Sequence, residues 1–318
     1  MKIDPKEIHD MIHKARPNLK ENTIKQYETN LRKLKKIFET DNFDFLSSPD
    51  KVKDKIKDLH YTSQRNHYNA IIVLLMALDD KKYEKILAEY GKIRDELNDK
   101  YQEEQSSGVI SEKQKENFTD MKELEGMIQK MEKELKDLKL KKKKELNKKE
   151  HALLQNYVLF SIYTRLPMRN DVAGMEAITK RAYNKLTEKE KKENNYLVIE
   201  KNNMFFVLNK YKTARKYEEL KIDIPADLKK LLRYYLKVNG MGVLFKSSTG
   251  KPLTRNALTQ LMIKTSSKYL GKKISTTMIR KIYLSSKYGD MKEELKQDNK
   301  VMGHSMGVAL NNYVKKDE

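Results

Sequence analysis

The sequence contains no cysteine, and this absence removes several classes of chemistry. Without thiols the chain forms no disulfide, builds no zinc site from thiolates and has no cysteine nucleophile. Long apolar runs are missing too, since no stretch approaches the roughly 18 apolar residues that a membrane-spanning helix needs. The first residues, MKIDPKEIHD, include no apolar segment after the lysine. We therefore expect an intracellular protein with no signal peptide and no membrane partner.

Acidic residues are outnumbered, which gives the chain a strong positive charge. Its 67 Lys and Arg against 46 Asp and Glu leave a net charge of +21. Such an excess favours a polyanionic partner, because each phosphate that a basic side chain neutralises releases condensed counterions. Nucleotide composition is the alternative explanation, since Lys, Asn, Ile and Tyr are all frequent, as in AT-rich genomes. The charge predicts a nucleic acid as the partner.

Shifts in composition divide the chain into three predicted parts. The first is rich in Lys and Arg and has short apolar runs at helical spacing, which predicts a compact helical domain. The second is polar and rich in Glu and Lys, which indicates a long helical insertion and linker. The third mixes helices with short β-rich runs. The predicted boundaries are 1–82, 83–148 and 149–318.

Short β-rich runs occupy 196–200, 204–208 and 220–224, with Asn202 and Asn203 as a hairpin turn between the first two. Helical patterns precede and follow these runs. The predicted fold class is therefore mainly α with a small antiparallel β-sheet (α+β).

A narrow apolar seam lies within the second part, where apolar residues alternate by three and four over 121–138. This spacing is typical of a helical hairpin or a short coiled coil, which would offer a contact between copies of the chain. A single helix packed on the neighbouring domain fits the same pattern equally well.

Four segments of the third part carry a family resemblance. Near its end the sequence reads VMGHSMGVALNNYVKK, with Tyr313 nine residues after His304. This pattern resembles the end of the catalytic domain of tyrosine recombinases, the phage integrase family. TRLPMRNDVAGM resembles the segment of that family's first catalytic arginine, here Arg169. NKYKTARKYEELKIDIP resembles its hairpin lysine segment, here Lys212, and ISTTMIRKIYLSS its His-x-x-Arg box, here with Arg280.

The resemblance implies a helical DNA-binding domain followed by a catalytic domain that breaks and rejoins DNA. Arg169 and Arg280 would hold the non-bridging oxygens of the scissile phosphate. Lys212 would protonate the departing 5′ oxygen, and His304 would hydrogen-bond the phosphate. Tyr313 would attack and form a 3′-phosphotyrosyl intermediate. This chemistry needs no ATP, no cofactor and no metal ion.

The family also implies partners and a setting. We expect a site-specific recombinase or integrase of a mobile element or virus, acting on double-stranded DNA as a homotetramer. Its location would be the cytoplasm of a prokaryote, a viral factory or a nucleus. By analogy with the family's first domain, the residues expected to contact DNA are Thr23, Gln26, Arg65 and Asn66.

The sequence departs from the family pattern in the His-x-x-Arg box. Thr277 stands where the family has histidine, and a threonine donates a hydrogen bond but does not titrate near neutral pH. In the first arginine segment, Asp171 follows Arg169 after two positions instead of three, and Leu-Pro-Met replaces the usual Gly-Leu. Lys210 and Lys216 compete with Lys212 for the role of general acid.

Two other functions therefore remain open. A type IB topoisomerase uses the same chemistry as a monomer and relaxes DNA without recombining it. A DNA-binding protein with relict chemistry would bind DNA in a salt-sensitive way and form no covalent adduct.

Overall fold

The computed structural model describes residues 3–302 together with Gly307 and Leu310. The chain divides into two compact units, Met1–Ile110 and Ser111–Glu318. No described helix is long and apolar enough to cross a membrane. The helices described in the first unit are α1 (Pro5–Ala15), α2 (Glu21–Ile37), α3 (Pro49–Ile56), α4 (Tyr61–Leu78) and α5 (Glu84–Ser107).

The core of the first unit forms between one face of α2 and most of α4. Ile24, Leu31 and Leu34 of α2 are buried, as expected for a helix with a single apolar stripe. The run AIIVLL of α4 is buried on nearly every side, which agrees with the helix predicted there. α5 packs along α4, and the Tyr90 hydroxyl of α5 donates to the carbonyl of Leu46 at 3.1 Å.

α5 ends where the sequence reads Ser-Ser-Gly. Gly108 is its C-cap and adopts a left-handed conformation with φ of 72°, which a glycine tolerates without strain. α5 covers the start of the stretch predicted as an insertion, and it belongs to the first unit.

The second unit contains the sheet and the remaining described helices. Its helices are α6 (Glu112–Lys115), α7 (Met121–Asp137), α8 (Lys148–Arg165), α9 (Lys180–Tyr183), α10 (Glu188–Glu193), α11 (Ala214–Tyr217), α12 (Ala226–Asn239), α13 (Arg255–Leu270) and α14 (Thr276–Met302). Its strands are β1 (Glu176–Thr179), β2 (Asn195–Ile199), β3 (Met204–Leu208), β4 (Leu220–Asp223) and β5 (Gly242–Val243).

The apolar seam predicted over 121–138 lies on α7, which packs against α8. Leu124, Met127 and Met131 have no exposed surface, and Leu124 and Met127 belong to the core of the second unit. The single packed helix is therefore the correct one of the two interpretations. The central residues of the seam are buried in their own unit and are not available for contacts between protomers, which corrects that part of the prediction.

α8 runs through the centre of the second unit and is buried along most of its length. A helix that is apolar on all sides requires neighbours on all sides, and α7, α12, α13 and α14 supply them. A capping box starts α8, in which the Asn147 side chain accepts from the backbone N–H groups of Lys149 and Glu150. The end of this helix leads directly to Arg169.

The sheet has the strand order β4-β3-β2-β1-β5. β2 and β3 form the predicted hairpin, with Asn195 opposite Leu208 and Ile199 opposite Met204. β4 also pairs antiparallel to β3, as expected. The predicted fold class is confirmed, and the structure adds two strands at the other edge. β1 pairs parallel to β2, so the sheet is mixed, and β5 pairs antiparallel to β1.

Both faces of the sheet are covered, which explains why β3 reads as an unbroken apolar run, MFFVL. Phe206 and its alternate neighbours face the main core, whereas Phe205 and Val207 face a smaller cluster. Tyr183 and Leu186, which follow β1, pack on that smaller cluster. β2 and β3 are therefore packed on both faces up to the start of the connection from β3 to β4.

Candidate active site

Arg169 follows α8 and precedes a 3₁₀ turn, Asn170–Val172. Its backbone is held from inside the core, because the hydroxyl of Tyr163 donates to the Arg169 carbonyl at 3.0 Å. Tyr163 is fully buried, whereas the side chain of Arg169 is exposed. The guanidinium therefore points out of a fixed loop, as a phosphate-binding arginine requires.

Asp171 lies at the centre of the positive groups. It is 5% exposed, and Nη2 of Arg255 donates to its Oδ1 at 3.1 Å. Burial raises the pKa of the Asp171 carboxyl, while the positive charges of Arg255, Arg169 and Arg280 act to lower it. Three arginines from separate segments thus lie close to one buried carboxylate.

Asn170 ties the Arg169 loop to two helices. Its Nδ2 donates to the Arg255 carbonyl at 3.1 Å and to Oγ1 of Thr259 at 2.7 Å, both on α13. Its Oδ1 accepts a hydrogen bond from the Thr276 hydroxyl at the start of α14. Because all three bonds come from one side-chain amide, the loop and the starts of α13 and α14 form one framework.

This framework places the start of α14, which carries Thr277 and Arg280, beside Arg169. Thr276 is buried, Thr277 next to it is exposed, and Arg280 is half-buried one turn further along α14. Arg280 is near enough to Asp171 to lower the pKa of that carboxyl. The two predicted arginines are therefore brought to the same region of the second unit.

Asn195, the first residue of β2, joins the Arg169 loop to the connection between β3 and β4. Its Oδ1 accepts from the backbone N–H groups of Asn209 and Lys210, at 2.9 and 2.8 Å. Its Nδ2 donates to the carbonyls of Asp171 at 2.8 Å and Lys210 at 3.2 Å. The amide is 4% exposed, and these four bonds use its whole hydrogen-bonding capacity.

The β3–β4 connection carries the three candidate lysines, which are all exposed. Lys212 follows Tyr211, which is 7% exposed and whose hydroxyl donates to the Glu218 carbonyl at 2.9 Å. Lys216 lies on α11, with its ammonium 5.2 Å from the centre of the Tyr217 ring. The choice of Lys212 over Lys210 and Lys216 stays a prediction.

His304 and Tyr313 lie outside the described residues. Arg169, Lys212, Thr277 and Arg280 all lie in the second unit. α14 is described as far as Met302, so the predicted nucleophile is not part of the described structure. The roles of His304 and Tyr313 stay predictions.

The DNA-contact candidates of the first unit differ in what surrounds them. Arg65 is half-buried, with its guanidinium carbon 4.0 Å from the centre of the Tyr101 ring. Its Nη1 also donates to Oδ1 of Asn98 on α5, at 3.4 Å. Arg65 therefore has a structural role between α4 and α5.

Gln26 and Asn66 are exposed, whereas Thr23 is half-buried. The carbonyl of Asn66 accepts from Nδ2 of the buried Asn30 at 3.3 Å, which ties α4 to α2. Thr23, Gln26 and Asn30 are spaced by three and four on α2, so they lie along one side of that helix. Gln26 and Asn66 are the two candidates whose side chains are open to a partner.

Asn195 and Arg255 were missed at the sequence level. Arg255 follows the N-cap Thr254, whose Oγ1 accepts from the Ala257 N–H at 3.1 Å, and it reads as an ordinary first-turn residue. The sequence indicates Asn195 slightly more clearly, because this asparagine directly precedes the apolar run YLVI and asparagine is unusual in a strand.

The chain is similar to several solved structures at low sequence identity. No protein-family model matches the chain, and no curated protein matches it. Among solved structures, XerA recombinase is similar over 99% of this chain and 95% of its own, with 11% identity and a TM-score of 0.35. XerH site-specific recombinase bound to its difH substrate, in a pre-cleavage complex, is similar over 98% of this chain and 85% of its own. That match has 14% identity and a TM-score of 0.48.

A post-cleavage complex of XerH with palindromic difH is similar over 99% of this chain and 82% of its own. Its identity is again 14% and its TM-score 0.48.

Proposed function

We propose that the chain is a site-specific DNA recombinase or integrase that cleaves and rejoins DNA through a 3′-phosphotyrosyl intermediate. The observation that supports this most directly is the gathering of Arg169 and Arg280 near the buried carboxylate of Asp171. Two guanidiniums fixed on one framework provide bidentate donors for the non-bridging oxygens of a phosphodiester. The net charge of +21 supports a DNA partner.

The cleavage step uses the predicted residues in defined roles. The Tyr313 hydroxyl gives its proton to water, and its oxygen forms a bond to the scissile phosphorus while the bond from phosphorus to the 5′ oxygen breaks. Lys212 gives its proton to that leaving oxygen, and a 5′ hydroxyl is released. Arg169, Arg280 and His304 stabilise the charge that develops on the phosphate. Attack by a 5′ hydroxyl reverses the step and rejoins DNA without ATP.

In the complete reaction, four protomers hold two duplexes and exchange strands. The first unit contributes DNA contacts, for which Gln26 and Asn66 are the exposed candidates. The contacts that hold the four protomers together lie elsewhere than on the buried seam of α7.

A DNA-binding protein with relict chemistry is the second candidate function. Thr277 favours it, because an exposed threonine at this position donates to a phosphate but takes no proton from Tyr313 near neutral pH. The neighbouring Thr276 does not replace a histidine either, since its hydroxyl is bound to Asn170.

Covalent trapping tests the proposal. The protein is mixed with fragmented AT-rich genomic DNA in EDTA and denatured with SDS, and the DNA that remains attached is sequenced. Tyr313→Phe is the test variant, and Tyr288→Phe, at an exposed tyrosine of α14, is the matched control.

Adducts at a defined sequence that Tyr313→Phe abolishes and Tyr288→Phe retains would support the recombinase. Adducts at scattered sites would favour a type IB topoisomerase. Salt-sensitive DNA binding without any adduct would overturn the proposal in favour of the relict function.

A further inference from the structure

Two side chains outside the predicted catalytic set connect the segment of Arg169 with the segment of Lys212. One is the amide of Asn195, and the other is the guanidinium of Arg255. Both reach the same two places, the residue Asp171 in the Arg169 loop and the backbone of Lys210 in the β3–β4 connection.

Asn195 makes this connection from within the core. On one side its Nδ2 donates to the Asp171 carbonyl, and on the other its Oδ1 receives the N–H groups of Asn209 and Lys210. A buried amide that loses such partners leaves several polar groups unsatisfied at once, which is costly. The bonds therefore define the distance between the two segments.

Arg255 makes the same connection from the surface. Its Nη2 donates to Oδ1 of Asp171 at 3.1 Å and to the Lys210 carbonyl at 3.2 Å. The Arg255 side chain is 56% exposed and that of Asp171 only 6%. Because the arginine is exposed to solvent, the ion pair adds little stability and mainly fixes the relative positions of the two groups. One nitrogen shared between a carboxylate and a carbonyl fixes the Lys210 backbone relative to Asp171.

This arrangement matters because a general acid works only when its proton lies within hydrogen-bond reach of the leaving oxygen. Lys212 is two residues beyond Lys210, and Arg169 is two residues before Asp171. We propose that Asn195 and Arg255 are positioning residues that hold Lys212 in register with the phosphate bound by Arg169. The inference rests on the proposed function and deepens it, since neither residue is assigned to the reacting atoms.

The first test measures the connection without any DNA. Hydrogen exchange followed by mass spectrometry is recorded for peptides that cover 169–173 and 209–213, in the wild type, Asn195→Ala and Arg255→Ala. We expect faster exchange in both segments of both variants, because the backbone groups there lose their fixed partners.

Matched controls separate this from a general loss of stability. Asn239→Ala removes an amide whose Nδ2 donates to the carbonyls of Val243 and Leu244, at 3.1 and 3.2 Å. Arg165→Ala removes an ion pair with Asp227 and a hydrogen bond to the Ser161 carbonyl. Both controls should leave the exchange of 169–173 and 209–213 unchanged.

The second test measures the chemistry, on the DNA sequence that covalent trapping identifies. One substrate is ordinary DNA, and the other carries sulfur in place of the bridging 5′ oxygen at the scissile phosphate. A thiol has a pKa of about 8.5, so a thiolate departs without a general acid. Lys212→Ala should therefore cleave the sulfur substrate nearly as fast as the wild type does.

If Asn195 and Arg255 position Lys212, their variants should behave in the same way. We expect Asn195→Ala and Arg255→Ala to slow cleavage of ordinary DNA on the order of 10- to 100-fold. The sulfur substrate should restore most of that loss, whereas Arg169→Ala should stay slow on both substrates. Asn195→Asp keeps an acceptor for the Asn209 and Lys210 amides and serves where Asn195→Ala does not fold.

The outcomes distinguish this inference from the proposed function. Absence of any wild-type adduct overturns the proposed function, and the exchange measurement still decides whether the two segments are coupled. A wild-type adduct with unchanged exchange in both variants overturns the positioning role. Equal slowing on ordinary and sulfur substrates also overturns it, because the residues would then act on phosphate binding or folding.

Discussion

The hydroxyl of Thr276 donates a hydrogen bond to Oδ1 of Asn170, which joins the start of α14 to the loop that follows α8. Both residues are next to predicted catalytic positions, Thr277 and Arg169. The bond therefore sets the spacing between the two arginine segments of the candidate site, and it does so with uncharged groups.

Thr276→Val keeps the shape of the side chain and removes this hydroxyl. Thr276 is 3% exposed and Asn170 is half-buried, so the amide oxygen of Asn170 would lose its donor at a partly buried site. We expect the free energy of unfolding to fall by about 1–3 kcal/mol in urea titrations. The exposed neighbour provides the control, since Thr277→Val should change it by less than about 0.5 kcal/mol. Equal effects of the two variants would contradict a structural role for the Thr276 hydroxyl.

Thr277→His tests whether the departure at this position limits the reaction. An imidazole titrates near pH 6.5 and takes up the proton that threonine does not accept. We expect cleavage to become faster by roughly tenfold or more, with a new dependence on pH below neutrality. Thr277→Gln, which donates but does not titrate, should show neither change. Single-turnover cleavage by the two variants is measured from pH 5 to 8. A Thr277→His enzyme slower than the wild type would contradict the interpretation that Thr277 limits the reaction.

The raised pKa of Asp171 predicts that this carboxyl stabilises the folded protein more at low pH than at high pH. Its pKa in the folded state is raised by burial, so between the ordinary carboxyl pKa and this raised value the folded protein binds more protons than the unfolded one. The stability that Asp171 contributes is thus greatest at low pH and is lost as the pH rises through the raised value. Urea titrations of wild type and Asp171→Asn should differ in this direction.

Arg255→Ala tests how the Arg255 charge affects the pKa of Asp171. The Arg255 charge is the largest of those that lower the pKa of Asp171, so its removal should raise this pKa further. A titration of the Asp171 carboxyl carbon by NMR measures the change directly. The control is Arg165→Ala, which removes an arginine paired with Asp227. A pKa of Asp171 that falls or does not move in Arg255→Ala would contradict the charge arrangement.

The sequence predicted those parts of the fold that local patterns encode. β2 and β3 are runs of apolar and β-branched residues on both sides of a polar turn, so they were found. β1 and β5 were not, because Glu-Ala-Ile-Thr and Gly-Val are too short to show a period. Their pairing depends on tertiary contacts, and so did the choice between the two interpretations of the α7 seam.

The candidate site likewise contains residues that a sequence pattern indicates and residues that only tertiary contacts reveal. Arg169, Lys212 and Arg280 stay predictions, which the sequence offered because their order along the chain resembles a family pattern. Asn195 and Arg255 act through hydrogen bonds to backbone groups of distant segments, at Asp171 and Lys210. Such contacts impose no spacing on the sequence, so only the folded chain reveals them.

Arg65 is one of the residues that the sequence predicts to contact DNA. Its guanidinium stacks on the Tyr101 ring and is hydrogen-bonded to Asn98. We expect Arg65→Ala to destabilise the protein by about 0.5–1 kcal/mol. A DNA-phosphate contact would also reduce the slope of log affinity against log salt by about 1. Because the Arg65 guanidinium is held against Tyr101 and Asn98 of α5, we expect that slope to stay unchanged.

Tyr101→Leu provides the matching measurement, because it removes the ring and leaves the arginine in place. It should cost a similar free energy of unfolding and leave the salt slope as it is. Fluorescence anisotropy with labelled duplex DNA across salt concentrations, run beside urea titrations, separates the two roles. A reduced slope in Arg65→Ala alone would show that Arg65 leaves Tyr101 to bind a phosphate, and the sequence-based assignment would then be the better one.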